Sequence, residues 1–158
     1  MKKVIVAALF LLLGNRPLIA DPTHGDYIFS GGFGLTVSPT FLLINPQLEY
    51  AHQHDIFFGP MVQLGVGDPG SLFAVSGTIR TILGDHARVK PSLEAGLGMA
   101  FASSFTTNNV GVLFHFGMGF DYIVDRRFML GTMIRGNLAP PLKTFFISWP
   151  IILARMLL

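Results

Sequence analysis

The chain has 158 residues, enough for one domain, and is 51% hydrophobic but only 13% charged, against roughly 25% charged in a typical soluble domain. Its 18 glycines and 15 phenylalanines fit neither a soluble enzyme nor a disordered segment, and its formal charge of +2 brings no basic patch that would call for nucleic acid. Cysteine is absent, which excludes a disulfide framework, a thiolate metal site, a thiol nucleophile and a cysteine-anchored lipoprotein.

At the N-terminus, Lys2 and Lys3 precede an uncharged apolar run from Val4 to Leu13, followed by the polar break Gly14-Asn15-Arg16-Pro17. Ala20 then offers a small residue before Asp21. A basic start, a short apolar run and a small residue at the cut make a secretory signal peptide. The run is too short for a membrane-spanning helix, which needs about twenty residues. The expected division is therefore a leader over residues 1–20 and a mature domain over 21–158.

From residue 26 onward apolar and small or polar residues alternate, the period-two signature of β-strands. The first strand, about 26–37, puts Tyr27, Phe29, Phe33, Leu35 and Val37 on one face and Ser30, Gly32, Gly34 and Thr36 on the other. After Ser38-Pro39, a second strand over about 40–51 sets Leu42, Ile44, Leu48 and Tyr50 against Asn45, Gln47 and Glu49. His52 to Asp55 read as a turn into a third strand, about 56–67, with Phe58, Val62, Leu64 and Val66 opposite Gly59, Met61, Gln63 and Gly65. Asp68-Pro69-Gly70-Ser71 reads as a turn because proline fixes φ and glycine permits positive φ. The fourth strand, about 72–83, carries Phe73, Val75, Ile79 and Leu83 outside and Ala74, Ser76, Thr78 and Arg80 inside. The fifth, about 88–102, places Lys90, Ser92 and Glu94 inward among glycines and alanines.

The clearest alternation is Val110 to Tyr122. Its even positions are all apolar or aromatic, and its odd positions are Gly111, Leu113, His115, Gly117, Gly119 and Asp121. A soluble sandwich strand would turn a charged face to water; this strand has large apolar groups on one side and a crowded, glycine-rich side on the other. The seventh strand, about 127–138, is expected to point Arg127, Met129, Met133, Arg135 and Asn137 inward. The eighth, about 143–155, contains Pro150, which lacks a ladder donor and so predicts a bulge. The bulge would flip the phase, with Phe145, Ile147 and Trp149 outward before it and Ile152, Met156 and Leu158 after it.

Eight such strands match the length needed to cross a bilayer when tilted, about 9–11 residues. A free sheet edge has no partner in hydrocarbon, so the sheet must close. The fold expected is all-β, an eight-stranded antiparallel closed transmembrane β-barrel behind a cleavable signal peptide. Polytopic helices fit less well, because Ser103, Ser104 and Thr106 to Asn109 interrupt the uncharged stretch from Ala95 to Phe120.

In pattern, strand number and leader, residues 26–158 resemble the small OmpA/OmpX-type outer-membrane barrels of Gram-negative bacteria. The resemblance implies a terminal aromatic residue read by the barrel-assembly machinery; this chain ends Arg155-Met156-Leu157-Leu158 and departs from that pattern. It also implies a lumen holding a network of carboxylates and basic groups. The alternation supplies candidates: Glu49, Arg80, Glu94 and Arg135 near mid-strand, with Lys90, Asp121 and Arg127 also on the inner face. Facing the bilayer centre would cost an Arg or Lys about 2–4 kcal/mol. With the N-terminus in the periplasm, Tyr27, Tyr50 and Tyr122 fall on one rim, as an aromatic girdle requires, and the opposite loops are short.

Other constellations carry less. His52, His54 and Asp55 could form a rim metal pair, but no third ligand is fixed. His115 and Asp121 share a face without touching, and no motif marks a nucleophilic serine. Gly31-Gly32-x-Gly34 lies within a strand and is no phosphate loop. The sequence thus predicts a monomeric outer-membrane protein with a plugged, charge-paired lumen and a structural role in the envelope. No cofactor or metal is expected, and its partners are membrane lipids and the assembly machinery. The alternatives are a narrow, porin-like solute channel and a lipid-modifying enzyme.

Overall fold

The computed structural model describes residues 24–53, 55–68, 70–84, 88–104, 108–125, 127–140 and 144–158. The expected leader over 1–20 and His54 of the histidine pair lie outside them. The described residues form eight strands: β1 (Tyr27–Val37), β2 (Leu42–Gln53), β3 (Ile56–Gly67), β4 (Gly70–Ile82), β5 (Val89–Ser104), β6 (Asn108–Ile123), β7 (Phe128–Ala139) and β8 (Thr144–Leu157). Each pairs antiparallel with the next, and β8 pairs with β1, so the sheet closes into a barrel with no free edge.

The connections are tight because short hairpins suffice between antiparallel neighbours. Between β1 and β2, the Thr36 hydroxyl donates to the Pro39 carbonyl at 2.6 Å and accepts from the Phe41 amide at 2.9 Å, and Ser38 takes a positive φ of 59°. Between β6 and β7, the Asp125 carboxylate accepts from the amides of Arg127 and Phe128 at 2.7 and 2.9 Å. This turn overturns the expectation that Arg127 lies on the inner face of the seventh strand. The strand begins at Phe128, and Arg127 is an exposed turn residue. Strands also run further than their turn residues implied: His52 and Gln53 extend β2, Gly70 and Ser71 open β4, and the β5–β6 ladder continues to Ser103 opposite Asn108.

The two faces separate as the alternation requires. Phe29, Phe33, Ile44, Phe58, Ile79, Leu97, Phe114, Phe116, Phe120 and Phe145 are among the exposed apolar residues that cover the outside. Within the described strands, every charged residue points the other way: Glu49, Arg80, Lys90, Glu94, Asp121, Arg135 and Arg155 are each 2% exposed or less. In β8 the register slips by one residue. Pro150 pairs with Gly34 and Ile152 with Phe33, so Ile151 bulges and outward residues change phase there. At the pairing point Gly34 has no room for a side chain, since a Cβ would run into the Trp149 carbonyl.

Candidate functional site

The barrel interior is stratified. At the end where β1 begins and β8 finishes, Ile28, Ala51, Phe57, Ile82, Ile123 and Met129 form one buried apolar cluster, with Leu157 packed against it. At the other end Phe41, Leu72, Ala74, Ala100, Leu113, Ala139 and Phe146 form a second. Polar and charged side chains from all parts of the wall meet between them.

Two ionic groups occupy this middle layer. In the first, Arg80 of β4 grips Glu49 of β2 with both prongs of its guanidinium, Nε to Oε1 at 2.7 Å and Nη2 to Oε2 at 2.8 Å. This bidentate geometry is the strongest that a carboxylate offers. Arg80 Nη1 also donates to Asp121 Oδ2 at 3.2 Å. Asp121 accepts in turn from Arg155 Nη1, and Arg155 Nε stands 3.9 Å from Glu49 Oε2. Glu49, Arg80, Asp121 and Arg155 thus make a ring in which the sign of charge alternates. The Arg80 guanidinium also lies 4.6 Å from the centre of the Phe57 ring, which joins the ionic ring to the apolar end. Lys90 sits opposite Asp121 in the β5–β6 ladder, 2% exposed.

In the second group, Arg135 of β7 holds Glu94 of β5, Nε to Oε1 at 2.5 Å and Nη2 to Oε2 at 3.2 Å, and its Nη1 donates to Asn45 Oδ1 at 2.8 Å. His115 Nε2 is 3.5 Å from Glu94 Oε1. Gln47 bridges the two groups: its amide nitrogen lies 3.3 Å from Glu49, 3.3 Å from Glu94 and 3.1 Å from the Thr78 hydroxyl. Above them Asn137 accepts from Gln63 at 3.3 Å and donates to Ser148 at 3.0 Å.

Sequence reasoning missed Arg155, Gln47 as the bridge, and the Gln63–Asn137–Ser148 set. The signal for Arg155 was present, because the phase that puts Ile152 and Met156 outward after the bulge puts residue 155 inward. The structure separates His115 from Asp121 and sets it beside Glu94. On the rim where β1 begins and β8 finishes, Tyr27 and Tyr50 pack at a tilt of 60° with ring centres 5.4 Å apart, Phe58 stands 5.4 Å beyond Tyr50, and Tyr122 lies opposite Val89 and Leu130 at the same end. His52 packs edge-on to His24, and its carbonyl accepts from the His24 ring. Among the described residues no group of three or more potential ligands is placed to hold a metal.

No protein-family model matches the chain, and no curated protein does. Solved structures do. The N-terminal β-barrel domain of Pseudomonas aeruginosa OprF superposes with a TM-score of 0.69 at 13% identity, over 86% of this chain and 98% of that one. Neisserial surface protein A (NspA) gives 0.68 at 15% identity, over 84% and 96%. Ail, the attachment invasion locus protein of Yersinia pestis, gives 0.56 at 15%, over 85% and 99%. At such identities the likeness is one of fold: the chain folds as the small eight-stranded outer-membrane β-barrels do.

Proposed function

We propose that this chain is an integral protein of the outer membrane that serves the envelope as a closed, charge-paired barrel rather than as an enzyme. The observation that carries the reading is the sorting of charge. An outer surface clad in exposed phenylalanine, leucine, isoleucine and valine, with every in-strand charge turned inward, would be an aggregation hazard in water and is the natural state in hydrocarbon. Residues 1–20 act as the export leader, lipid surrounds the apolar belt, and Tyr27, Tyr50 and Tyr122 sit at the periplasmic interface as an aromatic girdle. The barrel is a monomer delivered by the barrel-assembly machinery. Two apolar ends closing on a neutralising polar middle favour a plugged lumen. The polar middle is also what a narrow solute channel would need, and conductance separates the two.

The test is the migration of the protein from an outer-membrane fraction on SDS gels, cold against boiled. The expected result is a band that shifts on boiling, at the mass left after loss of residues 1–20. A band that does not shift, or a protein recovered from the inner membrane with the leader attached, would overturn the proposal.

A further inference from the structure

Two prolines stand in the interiors of adjacent strands, Pro46 in β2 and Pro60 in β3. Proline donates no ladder hydrogen bond, and in an antiparallel sheet each residue bonds to one neighbour only. The β1–β2 ladder runs unbroken past Pro46, and the β3–β4 ladder unbroken past Pro60. The β2–β3 ladder instead loses its pairs at Asn45, Pro46, Leu48 and Glu49 and keeps, between them, Gln47 opposite Met61. Both missing donors therefore fall on one seam.

A lumen side chain takes up part of the slack. Asn45 Nδ2 donates to the Val62 carbonyl at 2.7 Å, the acceptor opposite Pro46. The Thr78 hydroxyl of β4 donates to the Gly59 carbonyl of β3 at 3.0 Å, which ties the chain beside Pro60 to β4 rather than across the seam. Neither side chain acts alone, since Asn45 is held by Arg135 and Thr78 by Gln47. The Asn45 stitch across the seam thus hangs, through Arg135, from Glu94. The comparable break at Pro150 on the β7–β8 seam is closed differently. There Thr132 donates to the Pro150 carbonyl at 3.2 Å and accepts from the Trp149 indole at 3.0 Å, with Trp149 on the outer face.

We propose that the β2–β3 seam is a latch operated from the lumen. The wall from Asn45 to Glu49 and its partner from Gly59 to Val62 stay joined while Glu94 holds Arg135 and Arg135 holds Asn45. When that pair lets go, the seam parts at mid-height and brings the lumen to the outer face of the barrel between Pro46 and Pro60. Parting the seam breaks the Asn45 stitch and the single Gln47–Met61 pair and leaves the other ladders as they are.

Amide hydrogen exchange on the refolded barrel tests it. Leu48 and Val62 are expected to exchange roughly tenfold or more faster than amides within the unbroken β5–β6 ladder. Asn45→Ala should speed those two further and leave β5–β6 unmoved. Glu94→Gln should do the same with Asn45 intact. The double variant Pro46→Ala/Pro60→Ala restores both donors and should slow the two amides to the β5–β6 rate, a result that stands even if Asn45→Ala fails to fold. Wild-type Leu48 and Val62 as protected as β5–β6, or exchange at Val62 unmoved by Glu94→Gln, would sink the latch.

Discussion

Arg80 shows how much one side chain holds in this interior. Its three nitrogens serve two carboxylates, Glu49 and Asp121, and its side chain is fully buried. Removing one partner of a buried ion pair leaves an uncompensated charge, which typically costs about 3–5 kcal/mol, whereas removing both partners costs far less. Arg80→Ala should therefore lower stability by about 3–5 kcal/mol, read as a drop in the urea midpoint of the barrel refolded in lipid vesicles. Arg80→Ala/Glu49→Ala should recover part of that loss, since Asp121 keeps Arg155. Lysine is no substitute, because a point charge cannot reproduce the fork. An unchanged midpoint for Arg80→Ala would mean that the ring contributes nothing. At this scale the sequence was legible in part. Inward parity marked six of the seven buried charges, but parity counts positions and is blind to a turn or a bulge. Arg127 was misplaced because the Asp125 turn takes up its backbone, whereas Arg155 was passed over although the phase after the expected bulge already turned it inward.

Among the strands, glycine positions carry information that hydropathy does not. Gly31 and Gly34 lie three residues apart in β1, yet a Cβ at Gly31 meets nothing within 4 Å while one at Gly34 collides with the Trp149 carbonyl and the Pro150 backbone. The two lie on opposite faces of β1, and Gly34, on the inner one, lies against the β8 backbone at Trp149 and Pro150. Gly34→Ala should then cost about 1–3 kcal/mol through overpacking, while Gly31→Ala stays within about 0.5 kcal/mol of wild type. Equal urea midpoints for the two variants would show that β8 does not press on β1. Strand number and the facing of most side chains could be read from alternation alone, and Pro150 announced the bulge. The strand ends could not be read as well. Phe41, Phe57, Leu72 and Phe146 turn inward where neighbouring outward residues are equally apolar, so the contrast between faces that reveals a strand disappears there.

For the whole molecule, that lost contrast places apolar side chains at both ends of the lumen. The polar middle neutralises itself through the Glu49–Arg80–Asp121–Arg155 ring and the Glu94–Arg135 pair. Water and ions, however, must first pass the apolar ends, where Phe57, Ile82 and Ile123 stand on one side and Phe41, Leu72 and Phe146 on the other. Hydrophobic constrictions gate by dewetting rather than by charge, so the plugged lumen proposed above would owe its seal to the ends and not to the ion pairs. In planar-bilayer recording the wild-type barrel should show no steady conductance. Glu94→Ala/Arg135→Ala should carry no current despite losing a buried pair, because a seam parted at mid-height opens the lumen to lipid and not to water. Phe57→Ala/Phe41→Ala/Phe146→Ala, which thins both ends while leaving every charge in place, should conduct. Steady conductance in the wild type would replace the plugged barrel with the narrow channel. A barrel opened by the charge variant and not by the phenylalanine variant would move the gate from the apolar ends to the ion pairs.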